Sequence, residues 1–207
     1  MRSFRVMGLI LAFVACATVG VALAASKPLP LSARVIQPGE FPGFVAYRPP
    51  TLFKTPQQWV GPVGKGLTRA QASAQIARLR AEGFVAVADR QLGTPTNVPW
   101  GGLSWAMQLG SATAAKAELA AEVLDTKNTA KPPASYAAFA VSGITGARGY
   151  QLVGPSGGGD NVQFADGPFV YLVAFGWTGN PKNRPTRANL IAAATRLYKR
   201  VHGHPPA

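Results

Sequence analysis

RGYQLVGPSGGGDNVQFADGPFVYLVAFG, residues 148–176, is the stretch on which the fold turns. It holds three β-rich runs, RGYQLV, NVQFAD and PFVYLVAFG, separated by turn residues. Asp166-Gly167 stands between the last two, a strong short hairpin signal because both residues tolerate positive φ. Between the first two lies GPSGGGDN, in which residues 154–158 match the G-x-S-x-G pattern of many hydrolases. A nucleophile elbow needs a strand before the serine and a helix directly after it. Here glycines and another β-rich run follow Ser156, and the only histidines are His202 and His204 at the end of the chain. The stretch therefore predicts a supple hairpin tip and no catalytic serine.

Working outward, YAAFAVS upstream adds a fourth strand to this series. Ser111 caps a helix to about Lys127, with Ala115, Leu119 and Val123 on its apolar face and Pro132-Pro133 barring continuation. Residues 103–109 and 84–92 read as strands. Thr68 and Gln71 form a capping box for a helix whose face is Ala72, Ile76 and Leu79 and which Gly83 closes. Downstream, a helix from about Thr186 to His202 sets Leu190, Ala194, Leu197 and Val201 toward the core and stops at Gly203. Residues 27–62 are proline-rich and extended, with strand candidates at 32–37 (SARVIQ) and 44–47, and GPVGKG at 61–66 forms a glycine-rich loop. The order predicts one α+β domain, a mainly antiparallel β-sheet covered by about three α-helices. Its expected bounds are residues 67–202, with 25–66 an extended segment joining the sheet and 203–207 a disordered tail.

The N-terminus reads as an export leader. Arg2 and Arg5 precede an uncharged run over residues 6–25, and Ala22-Leu23-Ala24 offers a signal-peptidase site, placing cleavage after Ala24. An uncleaved membrane anchor is one alternative, because about 20 apolar residues can span a bilayer. Lipidation at Cys16, in the loose lipobox Phe13-Val14-Ala15-Cys16, is the other. All three readings imply export, to the medium or the cell envelope. Cys16 is the single cysteine, so a chain cleaved after Ala24 has no disulfide or thiol chemistry.

The formal net charge is +13, from 21 basic against 8 acidic residues. Scarcity of acids produces this balance, which favours solubility and weak attraction to anionic polymers, lipid headgroups or nucleic acid. Candidate anion contacts are Lys65, before a capped helix, and Arg196, Lys199 and Arg200 on the last helix. The cations of that last turn also complement the helix dipole. Glu118, Glu122 and Asp125 recur at helical spacing and read as the solvated face of their helix. Trp59, Trp100, Trp105 and Trp177 read as core or strand packing. His202-Gly203-His204 lacks the further ligands of a functional metal site. No catalytic, cofactor or metal constellation is expected.

The cadence of "FAVSGITGARGYQL" and "NVQFADGPFVYLVAFG", continued in "RAEGFVAVADRQL", "LGSATAAKAELAAE" and "PTRANLIAAATRLYKRV", resembles secreted, actinobacterial-type domains of unassigned function. The element order also resembles the PsbP-like sandwich of some mycobacterial envelope lipoproteins. These resemblances imply a non-enzymatic extracytoplasmic or envelope module and carry over no binding residue. The expected partner is an envelope protein, an anionic polymer, or a small apolar ligand between sheet and helix. The rival expectation is a secreted hydrolase with a carboxylate pair, and a further one a salt-sensitive nucleic-acid binder.

Overall fold

The computed structural model describes residues 27–46, 49–63, 67–94, 98–130, 132–179 and 181–207. The leader, with Cys16 and the site after Ala24, and the candidate anion contact Lys65 lie outside the described residues.

The C-terminal meander forms as its turns dictate. β5 (Ser135–Phe139), β6 (Arg148–Gly154), β7 (Gly157–Asp166) and β8 (Phe169–Thr178) pair in sequence, all antiparallel. Gly167 takes φ 55° in the β7–β8 turn, a conformation that costs glycine nothing. β3 (Ala86–Gly93) and β4 (Trp100–Gln108) complete the centre, with β4 against β8. β1 (Val45–Ala46) and β2 (Thr51–Phe53) share the outer edge of β3. The described sheet runs β1-β3-β4-β8-β7-β6-β5, with β2 beside β1. β8 lies near its middle and is covered on both faces, which is why its sequence is a continuous apolar run without alternation.

Helices cover both faces. α1 (Pro56–Val63), α2 (Arg69–Ala81) and α3 (Ala112–Thr129) pack on one, where Trp59, Leu79, Leu119, Trp105 and Leu172 form a core. α4 (Arg187–Val201) packs on the other, where Leu190, Ala194, Leu197 and Val201 meet Phe164, Tyr171 and Phe175. Burying an aliphatic side chain such as Leu197 contributes about 1.5–3 kcal/mol. Both expected helix starts are in place: Thr68 and Gln71 exchange side-chain and backbone hydrogen bonds, and Ser111 accepts from the Ala114 N–H. α4 adds a second capping box between Thr186 and Asn189.

Four expectations are corrected. Residues 32–37 form no strand: a 3-10 helix at Leu31–Ala33 leads into Arg34, Val35 and Ile36, buried in succession where an edge strand would bury alternate residues. The segment expected to be extended over 25–66 contains α1, which begins at Pro56 where a missing N–H is harmless and buries Trp59 and Val60. The glycine-rich hairpin tip shrinks to Pro155 and Ser156, because Gly154 pairs with Gly157 and residues 157–159 already belong to β7. Residues 203–207, expected as a disordered tail, turn back to the start of the domain: Leu29 bridges Pro206, and Arg34 Nη2 donates to the carbonyls of His204 and Pro205 at 2.7 and 2.6 Å. A buried guanidinium needs those acceptors, and the tail supplies them.

Candidate functional site

The sheet leaves one part of its α1–α3 face uncovered, and a groove of about 800 Å³ lies there. Its wall is the C-terminal end of α3, through Thr126 and Ala130, with Ala134 beyond. Its floor crosses the central strands in register: Gly101 on β4 is opposite Gly176 on β8, and Gly176 is opposite Gly159 on β7. The neighbouring row is Leu103, Ala174 and Asn161, with Gln91 opposite Leu103. Among the described residues, no side chain lining the groove is ionisable; Gln91, Asn161 and Thr126 supply its side-chain hydrogen-bonding groups. This arrangement suits capture of an uncharged ligand by shape and apolar contact, oriented by a few carboxamide and hydroxyl groups.

The acids of α3 lie outside the groove, and they correct the expectation of a solvated strip in part: Glu118 is buried and Glu122 partly buried, whereas Asp125 is exposed as expected. Arg78 of α2 reaches across to α3 with Nε 2.8 Å from Glu118 Oε2 and Nη2 3.3 Å from Oε1. Its Nη1 lies 2.8 Å from Asp125 Oδ2 and its Nη2 3.8 Å from Glu122 Oε1, which also accepts from Gln75 Nε2. Glu118 is 0 % exposed. Burial and the neighbouring Glu118 carboxylate push Glu82 up to about 7 and Glu122 up to about 8. Arg78 is held still more firmly protonated than a free arginine, because hydrogen bonds to Asp125 and Glu118 outweigh its desolvation. Helical spacing had placed Glu118, Glu122 and Asp125 on one face; it could not show that Arg78 of another helix would roof that face over.

Carboxyls raised toward neutrality, as Glu82 and Glu122 are, suit the acid of a general acid–base pair. Such a pair also needs a substrate within hydrogen-bond reach. None of Glu82, Glu118, Glu122 or Asp125 lines the groove or the smaller cavity of about 180 Å³ near Leu29 and Phe169. The Arg78 guanidinium bridges α2 to these acids of α3, so the cluster works as a seam.

The remaining candidates fall apart in space. Arg200 pairs with Glu40 (Nε to Oε1 2.6 Å) and donates to the Ala33 and Val35 carbonyls, while Arg196 donates to the Glu40 carbonyl at 2.7 Å. Both thus pin the 3-10 segment to α4, and Lys199 stays exposed on the same helix. His202 Nδ1 lies 3.0 Å from Asp166 Oδ1, and His204 Nδ1 2.9 Å from the Lys27 carbonyl oxygen. Among the described residues no group of three or more His, Cys, Asp and Glu side chains is placed to hold a metal. Ser156 sits exposed in the β6–β7 turn and is followed by a strand. Trp59, Trp105 and Trp177 are core residues, and Trp100 packs partly buried against the α4-side core. Among the described residues, no helix is long and apolar enough to cross a membrane.

What the sequence reading missed is the groove itself. Its signal was the glycine content of β4, β7 and β8, at Gly101, Gly159 and Gly176, which means little until the strand register aligns these positions.

No family model matches the sequence, and no curated protein matches it. Among solved structures, the extracellular domain of PknH from Mycobacterium tuberculosis is similar in fold, with a TM-score of 0.51 at 13% identity, over 82% of this chain and 93% of that one. At that identity the likeness is one of fold: an antiparallel sheet covered by helices on both faces.

Proposed function

We propose that this protein is a non-catalytic extracytoplasmic module that binds a small apolar ligand in the groove between its sheet and the C-terminal end of α3. The groove carries the reading. Its described lining has no ionisable side chain, although the chain has a formal net charge of +13 and its acids and several of its arginines are engaged elsewhere. The volume, about 800 Å³, falls within the range of sites that enclose small organic ligands. The export-leader pattern of residues 1–25 and the fold shared with an extracellular domain support an exported setting.

The test is a titration of the purified protein with N-phenyl-1-naphthylamine, an uncharged apolar fluorophore, at low and high salt. Saturable enhancement at one site per chain, unchanged by salt, is the expected result. Absence of saturable binding by any uncharged apolar compound would end this reading. Binding confined to anionic polymers and lost with salt would replace it with an electrostatic one.

A further inference from the structure

We propose that the groove ligand is planar: an uncharged conjugated ring system, laid flat on the glycine floor, with a hydrogen-bonding edge toward Asn161 and Gln91. This inference rests on the small-ligand reading above and specifies the shape of the ligand.

The argument comes from what the same sheet does on its opposite face. There Gly102 and Gly158 are each covered by an aromatic ring of the chain itself. A Cβ on Gly102 would lie 3.0 Å from Cε1 of Phe44, and one on Gly158 would lie 2.7 Å from Cζ2 of Trp177. At both positions an aromatic ring takes the space of a side chain, joined at Gly158 by the Leu152 carbonyl oxygen 2.7 Å from the Cβ position. One residue along each strand, Gly101 and Gly159 point to the groove, with Gly176 between them.

On the groove side no ring is supplied. A Cβ on Gly101 would meet only the Leu92 carbonyl oxygen, at the ordinary contact distance of 3.6 Å. One on Gly176 would meet only the Gly158 carbonyl oxygen, at 3.4 Å. Among the described residues, no side chain approaches either position within 4 Å. Glycine inside a strand weakens it and commonly marks a site where another body approaches closely. Neither Gly101 nor Gly176 takes a positive φ, so backbone conformation does not demand glycine there.

The row of Cα atoms without side chains spans three strands, its amides and carbonyls engaged in the ladder, although a Cβ on Gly159 would already crowd the Phe175 carbonyl oxygen at 3.1 Å. The row offers a broad C–H surface complementary to a ring face, whereas a flexible acyl chain needs no such surface. Leu103 and Leu152 border the row, and the carboxamides of Gln91 and Asn161 give neutral donors and acceptors for a carbonyl, hydroxyl or amine at the ring edge. The uncharged described lining disfavours a carboxylate or ammonium, whose desolvation would go uncompensated.

The experiment measures 1-aminoanthracene, planar and uncharged, by fluorescence titration, with 9-anthroate (planar, anionic) and 1-dodecanol (uncharged, flexible) as competitors. Saturable one-to-one binding of 1-aminoanthracene is expected, with 9-anthroate and dodecanol each weaker by about tenfold or more. Gly101→Val stands β-branched bulk on the floor at a position where a Cβ meets nothing closer than 3.6 Å. It should weaken 1-aminoanthracene binding by about tenfold, as overfilling a fitted space does, and Gly101→Ala should fall between. Circular dichroism and thermal melting confirm that both variants fold. If dodecanol displaces the fluorophore as well as planar compounds do, or if Gly101→Val binds it as wild type does, the planar-ring inference is overturned while small-ligand binding stands. Tighter binding of 9-anthroate than of its uncharged counterpart also overturns it. If no uncharged compound binds, the underlying reading fails with it.

Discussion

Arg34 on the α4 face and Arg78 on the α1–α3 face both fasten what covers the sheet, and they are held in opposite ways. On the α4 face Arg34 is 0 % exposed and meets no carboxylate. Its guanidinium donates to the Leu29, His204 and Pro205 carbonyls and to the Tyr171 hydroxyl, and stacks on the Phe169 ring at 3.9 Å. On the α1–α3 face Arg78 is flanked by Glu118, Glu122 and Asp125, with Glu82 beside Glu118. One site surrounds a cation with neutral dipoles; the other surrounds it with more negative charge than it can balance. The first ties the start of the domain to its end and is indifferent to moderate pH. The second joins two helices and must shed its excess charge by holding protons. The α4 face keeps a cavity of about 180 Å³ near Leu29 and Phe169, whereas the other is cinched at the seam and open at the larger groove.

The sharpest break of this comparison removes Arg34. Arg34→Met keeps much of the side-chain volume but strips donors from three carbonyls and a tyrosine hydroxyl and breaks the ring contact. Hydrogen bonds to charged groups are the strong ones, so the expected loss is about 4 kcal/mol. Urea denaturation measures it, and the loss should be the same at pH 5.5 and pH 8.5. A cost under about 1 kcal/mol would mean that the termini do not depend on this residue.

Arg78→Ala should cost somewhat less, about 3 kcal/mol at pH 8.5, because it leaves the buried Glu118 without its counter-charge. Unlike the Arg34 loss, this one should shrink at pH 5.5, where the acids it strands are more readily protonated. Equal pH dependence of the two variants would erase the distinction between the two fasteners.

The wild-type pH profile follows from the same seam. Folding raises Glu82 to about 7, Glu122 to about 8 and, by burial alone, Asp89 to about 6. The folded chain therefore holds protons that the unfolded chain has released, from the ordinary carboxylate range up to pH 8. Stability is greatest near the lower limit of that window and declines as pH rises through it. The melting temperature should fall between pH 5 and pH 8.5, and Glu122→Gln, which cannot ionise, should flatten the slope. A melting temperature that rises over this interval would remove the excess-charge account.

These features differ in how far the sequence disclosed them. The strands at RGYQLV, NVQFAD and PFVYLVAFG and the apolar stripe of α4 depend on neighbours along the chain, and period and turn chemistry reveal such neighbours. The Thr68 and Ser111 caps were legible for the same reason. α1 was not: it is short, contains Gly61 and Pro62, and owes its place to Trp59 packing on Trp105, 46 positions distant in sequence and 5.8 Å away in space. The alternation of SARVIQ misled because Arg34 looks like an outward-facing residue until its acceptors arrive from the other end of the chain. The acids of α3 misled likewise, since their partner is on α2. The groove depends on register among strands, without which the glycines of its floor mean little.

The gentlest test contrasts one glycine from each face of the sheet. Gly158→Ala drives a methyl against the Trp177 ring and the Leu152 carbonyl, both 2.7 Å from where the Cβ would stand, and should cost about 1–3 kcal/mol through overpacking. Gly101→Ala meets nothing closer than 3.6 Å and removes chain entropy from the unfolded state, so it should be neutral or stabilise by up to about 1 kcal/mol. Thermal melts of the two variants decide the matter. A stabilising Gly101→Ala would mean that glycine at this position lowers the stability of the free protein. Its presence would then be explained by what the groove holds. A destabilising Gly101→Ala would instead make that glycine part of the packing, and the two faces would no longer differ.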